Sequence, residues 1–171
     1  MAELIPGLRE QFQLIALIFL AGMGLWKGAG PERAVAIVML GILVSDRIYH
    51  LLFGNVINLM SIDLGHAVID LAAMIAFIVI ALRSNRMYTL WIAALQLVAF
   101  NAHLAREMTH AMTPIAYAIL YVGPSYFQLV AQGLGLWAHR RRVARYGPYR
   151  SWIGPAIMPA ATRQAGYRPE L

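Results

Sequence analysis

Between positions 50 and 110 the chain gathers four histidines, His50, His66, His103 and His110, with the carboxylates Asp63, Asp70 and Glu107. Imidazole combined with carboxylate is a ligand set for a divalent metal such as zinc, iron or manganese. Two histidines on different helices are one way of holding haem b, with Arg47 or Arg106 beside its propionates. The metal or haem candidates are therefore His50, His66, His103, His110, Asp63, Asp70 and Glu107. None of the spacings is diagnostic: there is no HExxH motif, and His103 with Glu107 is an ordinary i,i+4 pair. Cysteine is absent, which removes disulfides, thiolate nucleophiles, iron–sulfur clusters and cysteine-based zinc sites. No nucleophile and base stand at a recognisable spacing, so the sequence names no catalytic residue and leans away from an enzyme.

Residues three, four or seven apart share one face of a helix. On that rule Asp46 aligns with His50, and Asp63 with His66 and Asp70. Gln96, His103, Glu107 and His110 form a stripe, and Tyr117, Tyr121, Ser125, Gln128 and Gln132 form another. The elements carrying these stripes are strongly apolar. Hydrophobic residues make up 60% of the chain and charged ones 13%, with a mean hydropathy of +0.62, far from the balance of a water-soluble domain.

The uncharged stretches predict five membrane-spanning helices, at about 11–26, 34–53, 62–82, 87–105 and 113–138, in an all-α bundle over residues 1–145. Pro124 predicts a kink in the fifth. A secretory signal peptide is the rival reading of the first stretch, but Glu3 and Glu10 offset Arg9 and no small-residue cleavage site follows. A four-span bundle, with the first stretch lying at the interface, is the alternative. Turn chemistry marks the connections at 27–31, 54–55 and 83–86, and no internal repeat is visible.

Seven of the 14 basic residues fall in the last 32 positions, and most of the others flank apolar runs. That is the pattern of membrane orientation rather than of nucleic-acid binding. Arg140, Arg141, Arg142 and Arg145 place the carboxyl end in the cytoplasm and supply contacts for anionic lipids. Counting back through five spans puts the Arg83–Arg86 and Lys27–Arg33 loops inside, the uncharged 54–61 loop outside and the amino terminus in the periplasm. At about 1.5 Å per residue, Asp46 and His50 then lie some 20 and 25 Å from Arg33, in the outer half of the bilayer. Asp63, His66, Asn101, His103, Arg106 and Glu107 fall near the same level, with Asp70 close to the middle.

Charges facing lipid cost several kcal/mol at the bilayer centre, so these groups are expected to face one another. The polar interior comprises Asp46, Arg47, Gln96, Asn101, Arg106, Tyr117, Tyr121, Ser125 and Gln128. Three readings of it compete. In the plainest, the polar side chains hold helices together, with Asp46 on Arg47 or Arg106 and Asp70 on His66, Gln96 or a fifth-helix tyrosine. The second is the metal or haem site. The third is a transporter or proton pathway, against which polar residues thin out toward the cytoplasmic half.

Residues 146–171 read as an extended tail rich in proline and glycine. Tyr146, Tyr149, Trp152 and Tyr167 are suited to docking on another protein.

Ile69-Asp-Leu, Ala81-Leu-Arg-Ser-Asn-Arg86, Leu90-Trp91, Leu95-Gln-Leu-Val98, Ala102-His103-Leu-Ala-Arg106 and Gly135-Leu-Trp-Ala-His-Arg-Arg-Arg142 resemble a group of small, uncharacterised polytopic membrane proteins of alphaproteobacteria. The resemblance spans roughly the second half of the chain. It implies a multi-pass protein of the bacterial inner membrane and brings no reaction and no site residue. The expected function is that of a non-catalytic accessory subunit of a larger inner-membrane complex, respiratory or photosynthetic, packed against other membrane-protein subunits. A free-standing metal or haem protein and a small transporter are the alternatives.

Overall fold

The computed structural model describes residues 4–53, 64–108 and 113–153 of the 171-residue chain. Among these residues the protein is all-helical: α1 (Leu4–Lys27), α2 (Gly30–Phe53), α3 (Leu64–Arg83), α4 (Met87–Met108) and α5 (Pro114–Tyr146). Three of them, taken over Gly30–Phe53, Gly65–Arg83 and Met87–Ala105, are long and apolar enough to cross a membrane, and α1 carries a shorter apolar stretch over Gln11–Lys27. Each helix packs on the next in sequence, and α5 returns to lie against α1 and to touch α2. The result is a closed bundle with a shared interior.

Local chemistry sets the helix ends. α2 opens on Gly30 and Pro31, and Glu32 turns back so that its Oε2 accepts the Ala29 N–H at 3.1 Å. That contact satisfies a donor the helix start leaves orphaned. Thr113 caps α5, its hydroxyl accepting from Ala116 N at 3.3 Å with Pro114 in the first turn. α5 continues through the buried Pro124 and runs eight residues beyond the expected limit of 138, so Arg140, Arg141, Arg142 and Arg145 lie on the helix itself. Arginine is a good helix former, and its charge is favourable in a last turn where carbonyls lack partners. Gly147 then stops the helix at a φ of 76°, donating to the Val143 carbonyl at 2.9 Å.

The bundle is apolar on its outer surface and mixes polar with apolar groups inside. Ile15, Phe19, Ile37, Leu51, Leu82, Trp91, Phe127 and Leu134 face outward, whereas Glu32, Asp70, Arg86, Gln96, His103, Gln128, Gln132 and His139 are buried. The apolar core is a compact cluster around Phe77, Ile92, Val35 and Met39.

Residues 148–153, the described part of the chain after Gly147, stay against the bundle. Trp152 bridges to Ser84, with Ile153 N donating to the Arg83 carbonyl at 2.8 Å and Asn85 N to the Ser151 carbonyl at 3.2 Å. The Trp152 ring sits against Gly30, where a Cβ would collide with it. Tyr149 stacks near the Arg86 and Arg142 guanidiniums, 4.3 and 5.1 Å from its centroid.

Candidate functional site

The carboxyl end of α2 and the start of α3 bring Asp46, His50 and His66 together, with one donor atom from each lying within 4.8 Å of the other two. Asp46 and His50 are neighbours because they stand one turn apart on α2. His66 reaches them from α3. Its Nε2 is 2.9 Å from Asp46 Oδ1, and His50 Nε2 is 3.6 Å from the same oxygen. Ligands about 2.0–2.1 Å from one ion in tetrahedral array stand roughly 3.3 Å apart, so the two separations bracket what an ion needs. The 3.6 Å contact is too long for a hydrogen bond, and His50 Nδ1 is buried with no partner among the described residues. Tyr49 packs edge-on against both rings, at 5.8 and 5.0 Å between centroids, and occupies space over Gly65 that a side chain would fill.

The two imidazoles tilt against each other with centroids 5.0 Å apart, which leaves no slot for a porphyrin between them. The arrangement fits a single ion and not a haem. A cavity of about 180 Å³ adjoins the site, lined by Asp46 and His66 and continuing to Asp70, Gln13, Ser125 and Gln128.

One level further along the bundle, Asp70 accepts from Gln96 Nε2 at 2.8 Å and pairs with His103 Nε2 at 3.0 Å. Gln96 Oε1 accepts in turn from Gln128 Nε2 at 2.9 Å, which also reaches the Ile92 carbonyl at 3.3 Å. The Asp70 carboxylate thereby joins α3 to α4, and Gln96 passes the link on to α5. Gln13 on α1 donates to Ser125 at 2.8 Å, and Ser125 donates to the Val122 carbonyl.

Several expectations change here. Asp46 faces the two histidines and not Arg47, which is exposed; adjacent residues on a helix point about 100° apart. Asn101 is exposed and its amide bonds the Leu97 carbonyl of its own helix, so it does not belong to the interior. Asp70 binds Gln96 as expected, with His103 as its second partner. Asp63, His110 and Tyr167 lie outside the described residues, as do the side chains of Arg106, Glu107, Tyr117 and Tyr121. Tyr146 is exposed, while Tyr149 and Trp152 are engaged by the chain's own bundle.

A second polar cluster at the opposite end of the bundle escapes sequence reasoning. Glu32, 1% exposed, accepts from Arg86 Nε at 3.0 Å. Arg86 Nη2 lies 3.4 Å from His139 Nδ1, and that nitrogen is 3.1 Å from the Tyr149 hydroxyl. Beside the pair, Ser84 donates to Thr89 at 2.6 Å and Thr89 to the Arg86 carbonyl at 2.7 Å. Arg86 reads from sequence as one more loop charge setting orientation. The available signal is Glu32, a lone acid among basic residues at a helix start. His139, one residue beyond the last apolar run, is held below the ordinary imidazole value. Burial is the main cause, opposed by the Glu32 carboxylate and reinforced by Arg86 and Arg142.

Comparison with protein-family models, with curated proteins and with solved structures finds no match.

Proposed function

We propose that this chain is a multi-pass protein of the bacterial inner membrane that binds one divalent transition-metal ion through Asp46, His50 and His66. On this reading all five helices cross the bilayer, with the amino terminus in the periplasm and the carboxyl end in the cytoplasm. The outward apolar faces support it, as do the three helices long and apolar enough to cross a membrane. The metal then sits in the periplasmic half of the bundle.

The observation that carries the proposal is the convergence of two imidazoles and one carboxylate from two helices within 4.8 Å, beside a cavity that leaves coordination positions open to a small ligand. Three protein ligands with a vacant position are the arrangement of a working metal site, since structural zinc sites close all four. Imidazole and carboxylate together suit zinc, iron(II) or manganese(II). The expected result is one ion per chain by elemental analysis after loading of the purified protein with each metal separately. Asp46→Asn and His66→Gln each weaken binding by about 100-fold or more, because each removes a direct ligand. Equal metal content in wild type and both variants would end the proposal.

The subunit reading drew on a tail free to dock on another protein. Tyr149 and Trp152 contact their own bundle, while residues 154–171, Tyr167 among them, lie outside the described residues. The pathway reading gains a specific observation, because buried polar groups continue from Asp70 through Gln128 and Gln132 to Glu32, Arg86 and His139. A proton or solute flux in proteoliposomes that Asp70→Asn abolishes is its test; an undiminished flux, or none in wild type, excludes it.

A further inference from the structure

Between α4 and α5, at the Arg86 end of the bundle, lies a groove of about 560 Å³ that the metal reading does not use. Its polar part is formed by Arg86, Tyr88 and Arg142, and its apolar part by Leu90, Trp91 and Leu134. Two of its lining residues carry a buried donor with no hydrogen-bond partner among the described residues, Arg86 Nη1 and the Tyr88 hydroxyl. Such groups cost free energy unless something accepts from them. The Arg86 side chain is 5% exposed and cannot swing into solvent to satisfy itself, because its Nε is tied to Glu32 and its guanidinium stacks on Tyr149. Arg142 is exposed at the rim. Its charge is not offset as that of Arg86 is by Glu32, so the groove carries a net positive charge. Trp91 and Leu134 are exposed, at 66% and 59%, and continue the groove along the outer surface of the helices.

We infer that this groove binds the headgroup phosphate of an anionic phospholipid. Arg86 Nη1 and the Tyr88 hydroxyl donate to the phosphate from the floor of the groove and Arg142 from its rim, while acyl chains run along Leu90, Trp91 and Leu134. The pairing of an oxygen-rich anion with guanidinium donors beside an apolar face selects a lipid over a soluble metabolite, and Trp91 suits the headgroup boundary. The inference rests on the chain being membrane-embedded and is independent of the metal.

The test uses the full chain, purified in a zwitterionic detergent and stripped of bound lipid. Thermal stability is titrated with phosphatidylglycerol, with phosphatidylcholine and with inorganic phosphate. Wild type is expected to be stabilised by phosphatidylglycerol at concentrations where phosphatidylcholine and free phosphate have no effect. Tyr88→Phe, which removes only the hydroxyl, raises the half-saturating concentration about ten-fold, and Arg142→Ala raises it about five-fold. Arg86 is not substituted, because removing it would strand its buried partner Glu32 and change the melting temperature by itself. Stabilisation by inorganic phosphate equal to that by the lipid overturns the lipid in favour of a soluble anion. Equal response to both lipids overturns the site. So does a phosphatidylglycerol response that survives Tyr88→Phe and Arg142→Ala but falls in Arg140→Ala/Arg141→Ala, since the attraction is then that of the basic helix end at large. Extraction of the chain from cells without detergent would instead overturn the membrane reading beneath it, and metal content in the Asp46 variant reports on the other end alone.

Discussion

Glu32→Gln tests whether the buried ion pair with Arg86 fastens the bundle. The two groups lie 3.0 Å apart with 1% and 5% side-chain exposure. At an effective dielectric of about 20, unit charges at that separation attract by about 5–6 kcal/mol, against which the desolvation of both must be set. Glutamine keeps one of the two oxygens, so besides the charge one acceptor is lost, either that of Arg86 Nε on Oε1 or that of Ala29 N on Oε2. The guanidinium, meanwhile, stays buried beside a His139 that burial keeps neutral. Removing one partner of such a pair costs about 3–5 kcal/mol. For a chain of this size that corresponds to a drop in melting temperature of roughly 6–20 °C, read from thermal unfolding in detergent by circular dichroism. The double variant Glu32→Gln/Arg86→Met removes the stranded charge as well and is expected to return to within about 1–2 kcal/mol of wild type. A single variant melting within about 3 °C of wild type would refute the reasoning, as would a double variant equal to the sum of the two singles, because either result means the charges do not sense each other.

Three further outcomes follow from the same geometry. Gly30→Leu fills the seat of the Trp152 ring, so the 149–153 segment is released and limited trypsin digestion cuts after Arg150 many times faster than in wild type; an unchanged cleavage rate would show that the segment is held by its backbone bonds alone. Asp70→Ala leaves both Gln96 and His103 without their acceptor and costs about 2–6 kcal/mol at about 1–3 kcal/mol per stranded group, whereas Asp70→Asn keeps one acceptor and costs less; equal losses in a melting experiment would contradict the network. The imidazole of His139 is depressed below its ordinary value of 6.5, so the unfolded chain takes up a proton before the folded one does. Stability is therefore full above about pH 6.5 and falls as pH drops through that value toward the folded one. Comparing His139→Phe with wild type at pH 7.5 and 5.5 should show a smaller loss on acidification in the variant; an equal loss assigns the acid sensitivity to other groups.

The amino-acid order alone specifies a helical chain, three helices apolar enough for a bilayer, and an inward face carrying Asp70, Gln96 and His103. These follow from composition and from the 3.6-residue period, which are local. Spacing was also enough to pair Asp46 with His50, because residues four apart on one helix are neighbours whatever the fold. The partners across helices depended on the rotation and register of one helix against the next, which local periodicity does not fix. Thus His66 went to Asp46 rather than to Asp70, and Asn101 turned outward although its neighbours on α4 face the interior. Glu32 and Arg86, 54 positions apart, look like two ordinary charges at helix ends. Only the closure of the bundle, which sets α2, α4 and α5 side by side and lays Tyr149 and Trp152 across them, excludes water from that end and makes the charges a buried pair. Burial is a property of what surrounds a residue, and for these residues the surroundings come from distant parts of the chain.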